Sequence, residues 1–267
     1  MSHILQKDGG PMTSGLHGKT AFVTGAGSGI GRATALAFAQ AGAWVLLADR
    51  DERSLAETLT ALRQSGGEGA AMVCDVRQSD AVGAAVAHAV ERRGALDCAV
   101  NAAGVEGASK ALLDEDDDLF DRVMDVNLRG VWHCMRAQIQ QMLTQEAGGA
   151  IVNVASAAGL VGSRRCASYS ASKHAVLGLT RSAALQYGKQ RIRVNAVCPA
   201  GVSTGMADRI VASIGKDEIS SGAGSNYPLG RYSTPEEIAS GILWLCSDGA
   251  ASTIGAVLAM DSGFTAG

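Results

Sequence analysis

The feature that most constrains this chain is a short apolar run, Ala21-Phe22-Val23-Thr24, that passes straight into Gly25-Ala26-Gly27-Ser28-Gly29-Ile30-Gly31 and then into a helical pattern at Ala33, Leu36, Ala37 and Phe38. A strand, a glycine-rich turn and a helix in that order form one βα unit, and chains that repeat this unit build a parallel sheet. The repetition is visible downstream. Apolar runs at residues 20–24, 44–48, 70–74, 98–101, 150–155, 193–198 and 257–261 alternate with longer amphipathic stretches, which predicts seven strands. Several runs lack an alternating polar face, as expected of strands covered by helices on both sides. The expected fold is α/β: a single-domain, doubly wound, parallel seven-stranded sheet flanked by helices.

With 267 residues, 47% hydrophobic and 18% charged, the chain has enough apolar material for a core on each face of one sheet. No repeat of solenoid period and no Pro- or Ser-rich linker divides it, so residues 1–17 read as a flexible polar leader and residues 18–267 as one domain. Residues 204–228 contain the permissive run Ser220-Ser221-Gly222-Ala223-Gly224-Ser225-Asn226, which reads as a substrate lid rather than a linker.

The formal net charge of -3, from 23 basic and 26 acidic residues, offers no surplus to neutralise a phosphate backbone, so nucleic acid is not an expected partner. No apolar stretch is long enough to cross a bilayer and residues 1–17 lack a secretory core, which gives the expectation of a cytoplasmic protein without a membrane partner. The six cysteines are scattered, without metal-ligand spacing, and read as reduced, mostly buried small hydrophobes. The acidic run at residues 114–118 reads as a solvated, dipole-stabilising helix start in preference to a metal site, so no metal is expected.

Glycines at a strand-to-helix turn let the backbone approach a pyrophosphate, and the free N–H groups of the helix start attract its charge. By itself such a turn also suits a tight connection with no ligand. Its context adds weight: the next strand ends at Asp49, eighteen residues beyond Gly31, where a carboxylate accepts hydrogen bonds from adenosine ribose hydroxyls and repels the additional phosphate of NADP. NAD is therefore the expected cofactor, although a guanidinium at Arg50 is able to tolerate that phosphate. Gly18-Lys19-Thr20 imitates the end of a triphosphate-binding loop, but Thr13 stands where the earlier glycine is required, and the segment precedes its strand.

From residue 18 to residue 263 the chain resembles the short-chain dehydrogenase/reductase family, whose members have a Rossmann fold. The family's Thr-Gly-x-x-x-Gly-x-Gly turn is matched at residues 24–31, with Gly25, Ser28, Gly29, Ile30 and Gly31 as the implied cofactor contacts. Asp75-Val76 matches the pair that brackets the adenine. Asn101-Ala102-Ala103-Gly104 matches the motif that supports the sheet and the cofactor ribose, with Asn101, Ala102 and Gly104 implied at the site. The resemblance puts the catalytic Asn, Ser, Tyr and Lys at Asn127, Ser156, Tyr169 and Lys173. It further implies that Lys173 holds the nicotinamide ribose, that Asn127 supports a water path for the proton, and that the protein is a homotetramer packed through the helix of Tyr169 and the C-terminal strand region. Ile242-Leu243-Trp244-Leu245 fits such an interface and equally fits a core helix.

The chemistry of the reacting group also follows from residue types. Tyr169 and Lys173 are four apart in a helical pattern with Val176, Leu179 and Ala183, so they share one face. A tyrosine with a free pKa of about 10 is a poor base near neutrality, and a neighbouring ammonium and an oxidised nicotinamide both favour its phenolate. Tyr169 then takes the alcohol proton as hydride leaves, or protonates the alkoxide in reverse. Ser156, at a strand end, bonds the same substrate oxygen.

Two departures from the family stand out. Pro199-Ala200-Gly201 has alanine where the family has its first glycine, ahead of Val202 and Thr204, which keep the places that hold the nicotinamide carboxamide. Asp261-Ser262-Gly263 replaces Asp-Gly-Gly, a change expected to matter little. Leu160, Val161, Val105, Met206 and Ile210 suit either an apolar pocket for a cyclic or terpenoid secondary alcohol or the core. Arg164-Arg165 suits either an anionic substrate or a solvated loop. Three functions stay open: an NAD-dependent alcohol dehydrogenase, the reading that Asp49 favours and that resembles bacterial cyclic-alcohol and cyclic-diol enzymes; an NADPH-dependent biosynthetic ketoreductase; and a dinucleotide-sensing protein without turnover, which the Tyr169/Lys173 pair argues against.

Overall fold

The computed structural model describes residues 15–214 and 227–267. The predicted leader, apart from residues 15–17, and residues 215–226 of the predicted lid lie outside the described residues. Leu16, at the start of the described chain, is buried in the core.

Seven parallel strands form the sheet: β1 (Thr20–Thr24), β2 (Trp44–Asp49), β3 (Glu68–Val73), β4 (Cys98–Asn101), β5 (Gly149–Val154), β6 (Ile192–Pro199) and β7 (Val257–Met260). Their order is β3-β2-β1-β4-β5-β6-β7. The chain winds outward from β1 to β3 and then returns to place β4 against the other edge of β1. That reversal opens a crevice beyond the carboxyl ends of β1 and β4, the place where ligands bind in sheets of this kind.

The described helices are α1 (Gly29–Gln40), α2 (Glu52–Gln64), α3 (Ser79–Arg93), α4 (Asp117–Met124), α5 (Gly130–Met142), α6 (Ala167–Tyr187), α7 (Gly205–Ile214) and α8 (Pro235–Cys246). Successive side chains of a strand point to opposite faces, and both faces are apolar here. Ala21, Val23, Val45, Leu47, Val100 and Val152 pack with Phe38 of α1, Leu55 and Leu62 of α2 and Ile238 and Ile242 of α8. Phe22, Leu46, Ala99, Ile151 and Val194 pack on the opposite face with Val82 and Val86 of α3, Val131 and Ile139 of α5 and Val176 of α6. Of the segment with two readings, Ile242, Leu243 and Leu245 are buried core residues of α8.

Helix starts are specified locally. Asp51 caps α2 by accepting from Arg53 N and Ser54 N, and Thr234 and Glu237 form a reciprocal capping box at α8, with Pro235 in its first turn. The acidic run behaves as expected at α4, where the Asp116 carboxylate accepts from Leu119 N at 2.8 Å. Among the described residues no helix is long and apolar enough to cross a membrane.

One polar seam crosses the apolar interior. Asn101 and Asn153 face each other in the β4–β5 register, and Asn101 Nδ2 donates to Asn153 Oδ1 at 2.8 Å. Gln138 of α5 donates to Asn101 Oδ1 at 2.7 Å, while Asn153 Nδ2 donates to Thr180 Oγ1 of α6 at 2.9 Å. All four side chains are buried, and the bonds among them offset the cost of desolvating the amides.

Candidate active site

The glycine turn lies at the mouth of the crevice. Gly25 has φ +67°, and a Cβ there would meet Ala103 N at 2.8 Å and Ala102 O at 2.9 Å, while a Cβ on Gly31 would collide with Gly25 O. Only glycine lets the turn fold this tightly against the segment after β4. Ser28, the N-cap residue of α1, gives the helix no side-chain cap, and no acidic residue stands in its first turn. Ile30, in that turn, packs partly into the core. The helix thus starts with donor N–H groups beside a surface that backbone alone forms, a fit for a pyrophosphate.

At the end of β2, Asp49 turns one carboxylate oxygen to this turn, accepting from Gly27 N at 3.0 Å, and the other accepts from Asp51 N at 3.2 Å. These bonds leave lone pairs on both oxygens and fix the carboxylate at the edge of the crevice. Arg50 is exposed beside it. Thr204, on the opposite wall, brings its methyl within 3.3 Å of where a Gly29 Cβ would stand. Its position is set by the pairing of residues 201–203 with Ser233, through Ser203 N to Ser233 O and Ser233 N to Gly201 O at 3.0 Å each. Val202 is buried in the same segment. Ala200, where the family has glycine, has no positive φ. At the second departure Ser262 does adopt φ +55°, and its hydroxyl lies 3.0 Å from that of Ser233.

The reacting group forms where β5 and α6 meet. Ser156 follows β5, and its Oγ accepts from Ala158 N at 3.1 Å. Tyr169 is half-buried on α6, with the Ser156 hydroxyl near enough to act on its phenol. Lys173, one turn on, is buried; its Nζ donates to Val154 O at 2.9 Å and stands 5.6 Å from the centre of the Tyr169 ring. Burial pushes the Tyr169 phenol up to about 12, against a smaller opposing effect of the nearby Ser156 hydroxyl. Burial likewise pulls Lys173 down to about 8. The sequence-based expectation of a phenolate favoured by its ammonium neighbour is therefore reversed in the protein alone: the site that holds the pair also desolvates it, and desolvation wins.

Asn127 lies in a π-helical segment, Asp125–Arg129, between α4 and α5. Its amide is fully engaged: Oδ1 accepts from Val105 N at 2.8 Å, and Nδ2 donates to Val105 O at 3.0 Å and to Ser172 Oγ at 3.3 Å. The side chain thereby ties the segment after β4 to the helix of Tyr169. A Cβ on Gly104 would stand 3.3 Å from Asn127 Oδ1 and 3.7 Å from Lys173 Nζ, so glycine keeps a gap between these two groups.

Two residues assigned to the cofactor are occupied otherwise. The Asn101 side chain points into the protein, where Gln138 and Asn153 use its polar atoms. Asp75 is gripped by Arg77, whose Nε donates to both carboxylate oxygens at 2.9–3.0 Å, and this pairing holds the Asp75 carboxyl below the usual carboxylate range. Val76 is buried, and its carbonyl oxygen lies 3.0 Å from His133 Nδ1. Of the residues with two readings, Val105 and Leu160 pack partly against the core, whereas Val161 and Ile210 are exposed.

One structural participant is absent from the sequence reading. Cys166, the N-cap residue of α6, provides no side-chain cap. Glu115 reaches across instead, accepting from Ala167 N at 2.9 Å and from Ser168 N at 3.0 Å. This member of the acidic run closes the N-terminus of the helix that carries Tyr169 and Lys173. The signal available was the missing Ser, Thr, Asp or Asn just ahead of α6.

The chain matches, over residues 25–265, the family model described as enoyl-(acyl carrier protein) reductase. It is 43% identical over 263 residues to a 3beta-hydroxysteroid dehydrogenase of Mediterraneibacter gnavus, with 92% of this chain and 95% of the relative covered. A 2,5-dichloro-2,5-cyclohexadiene-1,4-diol dehydrogenase of Sphingobium indicum is 43% identical over 253 residues, covering 95% of this chain and 99% of the relative. Among solved structures, a variant of actinorhodin polyketide ketoreductase with NADPH superposes with TM-score 0.87 at 36% identity, covering 92% of this chain and 97% of the other.

Proposed function

The chain belongs to the short-chain dehydrogenase/reductase family, and we propose that within it the protein is an NAD-dependent oxidoreductase that interconverts a secondary, cyclic or terpenoid alcohol and its ketone. The observation that carries this reading is the group at the β5–α6 junction: Tyr169 beside Ser156, with Lys173 one turn away beneath the ring. A nicotinamide dinucleotide supplies the hydride acceptor or donor when bound. Gly25, Ser28, Gly29, Ile30 and Gly31 would hold its pyrophosphate, Asp49 its adenosine ribose, and Val202 and Thr204 its carboxamide end.

The chain's own residues handle the proton. In reduction, Tyr169 donates its phenolic proton to the substrate oxygen, a role that its raised pKa suits at neutral pH. In oxidation the phenol must first lose that proton. Ser156 hydrogen-bonds the same oxygen and so opposes its drift from Tyr169, while Lys173 offers an ammonium beneath the ring. Asn127 acts through the segment it braces, holding Val105 and Ser172 in one frame.

Asp49 supports NAD through the carboxylate it presents at the crevice edge. A second reading, an NADPH-dependent ketoreductase, draws support from exposed Arg50 and from the NADPH of the structurally similar ketoreductase. The test is a panel of cyclic secondary alcohols and their ketones, assayed with NAD and NADP by nicotinamide absorbance. Turnover of a cyclic alcohol with NAD favoured over NADP is expected; preference for NADP would install the second reading, and no turnover with either dinucleotide would overturn both. Family likeness further supports a cytoplasmic homotetramer, which light scattering would show as four chains of 27.2 kDa.

A further inference from the structure

The connection after β4 carries a carboxylate, Glu106, between two residues tied to the reacting group. Val105, before it, is held at both N–H and C=O by the Asn127 amide. Gly107, after it, lies so close to α6 that a Cβ there would stand 3.1 Å from the Tyr169 Cβ. The backbone of Glu106 is therefore fixed beside the reacting tyrosine.

From that position the side chain crosses to α7. Arg209 Nε donates to Glu106 Oε1 at 2.6 Å, and Arg209 Nη2 donates to Glu106 Oε2 at 3.1 Å, a two-bond fork between groups 103 positions apart. α7 begins directly after Thr204, which touches the glycine turn, so the fork joins the Tyr169 wall to the segment leaving the dinucleotide wall. The Glu106 side chain is 25% exposed and that of Arg209 61%, so the carboxylate is the inner member and the guanidinium the outer one. An ion pair with so open a partner adds little to stability, but its bidentate geometry fixes direction.

Resting on the hydride-transfer reading, we infer that Glu106 and Arg209 form a clasp over the reacting tyrosine that makes this a site for uncharged alcohols and ketones and a poor one for carboxylated substrates. Glu106 sets a negative charge on the connection beside Tyr169, and Arg209, the cation an anionic substrate would seek on that wall, already has its fork filled. The carboxylate also adds to burial in keeping the Tyr169 phenol protonated. Among the described residues Arg122 and Asp208 are the other charged groups acting on the pair, one on each member.

The test compares 4-methylcyclohexanol with 4-hydroxycyclohexanecarboxylate, similar in shape and different in charge, for the unmodified enzyme, Glu106→Gln and Arg209→Gln. The unmodified enzyme should prefer the methyl compound by at least about tenfold in kcat/KM, and Glu106→Gln should narrow that preference at least about fivefold. A preference unaltered in Glu106→Gln overturns the inference. So does efficient use of the carboxylate that Arg209→Gln abolishes, which would make Arg209 a substrate receptor. A second measurement needs no substrate: limited trypsin cleavage at the Arg209–Ile210 bond, followed by mass spectrometry, should quicken at least about threefold in Glu106→Gln, and an unchanged rate would dismiss the clasp. No turnover of either alcohol with either dinucleotide counts against the hydride-transfer reading, and the tryptic measurement then decides the clasp by itself.

Discussion

Two helices, α1 and α6, start at the same edge of the sheet and treat their first turns in opposite ways. α1 has no side-chain cap and no acidic residue near its start. α6 has both oxygens of Glu115 on its first N–H groups. The partial positive charge at a helix start is equally available in each case, so what differs is its use. Left open, it receives an anion. Closed by a carboxylate from another segment, it becomes an anchor that orients Tyr169 and Lys173. The contrast separates a binding end from a reacting end, and each can be disturbed alone.

The largest effect should come from Tyr169→Phe, which removes the proton carrier and leaves the α6 anchor intact. We expect kcat/KM to fall by about 10²- to 10⁴-fold while NAD affinity by calorimetry changes little; substantial residual turnover would remove Tyr169 from its assigned role. At the binding end, Ser28→Asp converts the open start of α1 into a closed one. NAD affinity should drop by about 10- to 100-fold while the melting temperature holds or rises, because the new carboxylate caps the helix and repels the pyrophosphate. Retained affinity would show that the open start is not the receptor.

Asp49→Ala should weaken NAD and shift the NAD/NADP ratio toward NADP by about tenfold; an unmoved ratio would refute the ribose assignment. The pH response tests the reacting end without mutation. Burial holds Tyr169 at about 12, so its phenolate fraction rises with pH throughout the neutral range. Oxidation should therefore accelerate by up to about tenfold per pH unit, and reduction, which uses the protonated form, should not. The smallest effect belongs to Glu115→Ala. Loss of the cap should cost about 1 kcal/mol and lower the melting temperature by about 2–4 °C, with kcat reduced a few-fold and NAD affinity unaltered; equal losses in kcat and NAD affinity would break the separation of the two ends.

Much of this fold was legible because the information is local. Strands β1 and β4 match their apolar runs at both ends, and the other strands differ by no more than two residues. The largest discrepancy is at β3, which begins at Glu68 rather than Ala70. There Glu68 and Gly69 pair with Trp44 and Val45 on an edge strand whose polar exposure hides it from a hydrophobic pattern. The glycine turn and the Tyr169/Lys173 spacing were likewise local. Glu115, Glu106 and Arg209 were not, because each works across more than fifty positions, and an acidic residue looks the same in sequence whether it faces water or caps a distant helix. The Asn101 side chain illustrates a different limit: a motif marks a place beside the crevice, but the direction of its amide depends on Gln138 and Asn153.

That amide seam has a consequence for how the chain finds its sheet. The runs in β4, β5 and β6 are similar enough in apolar character that sliding one strand past another would still bury hydrocarbon. A slip of one residue, however, would set Asn101 opposite Val152 or Val154 and strand amides that in the aligned sheet are satisfied by Asn153, Gln138 and Thr180. Misaligned pairings thus carry unpaired buried amides while the aligned one does not, so the seam acts as a proofreading step in assembly: it rejects near-miss topologies that hydrophobic collapse alone would accept.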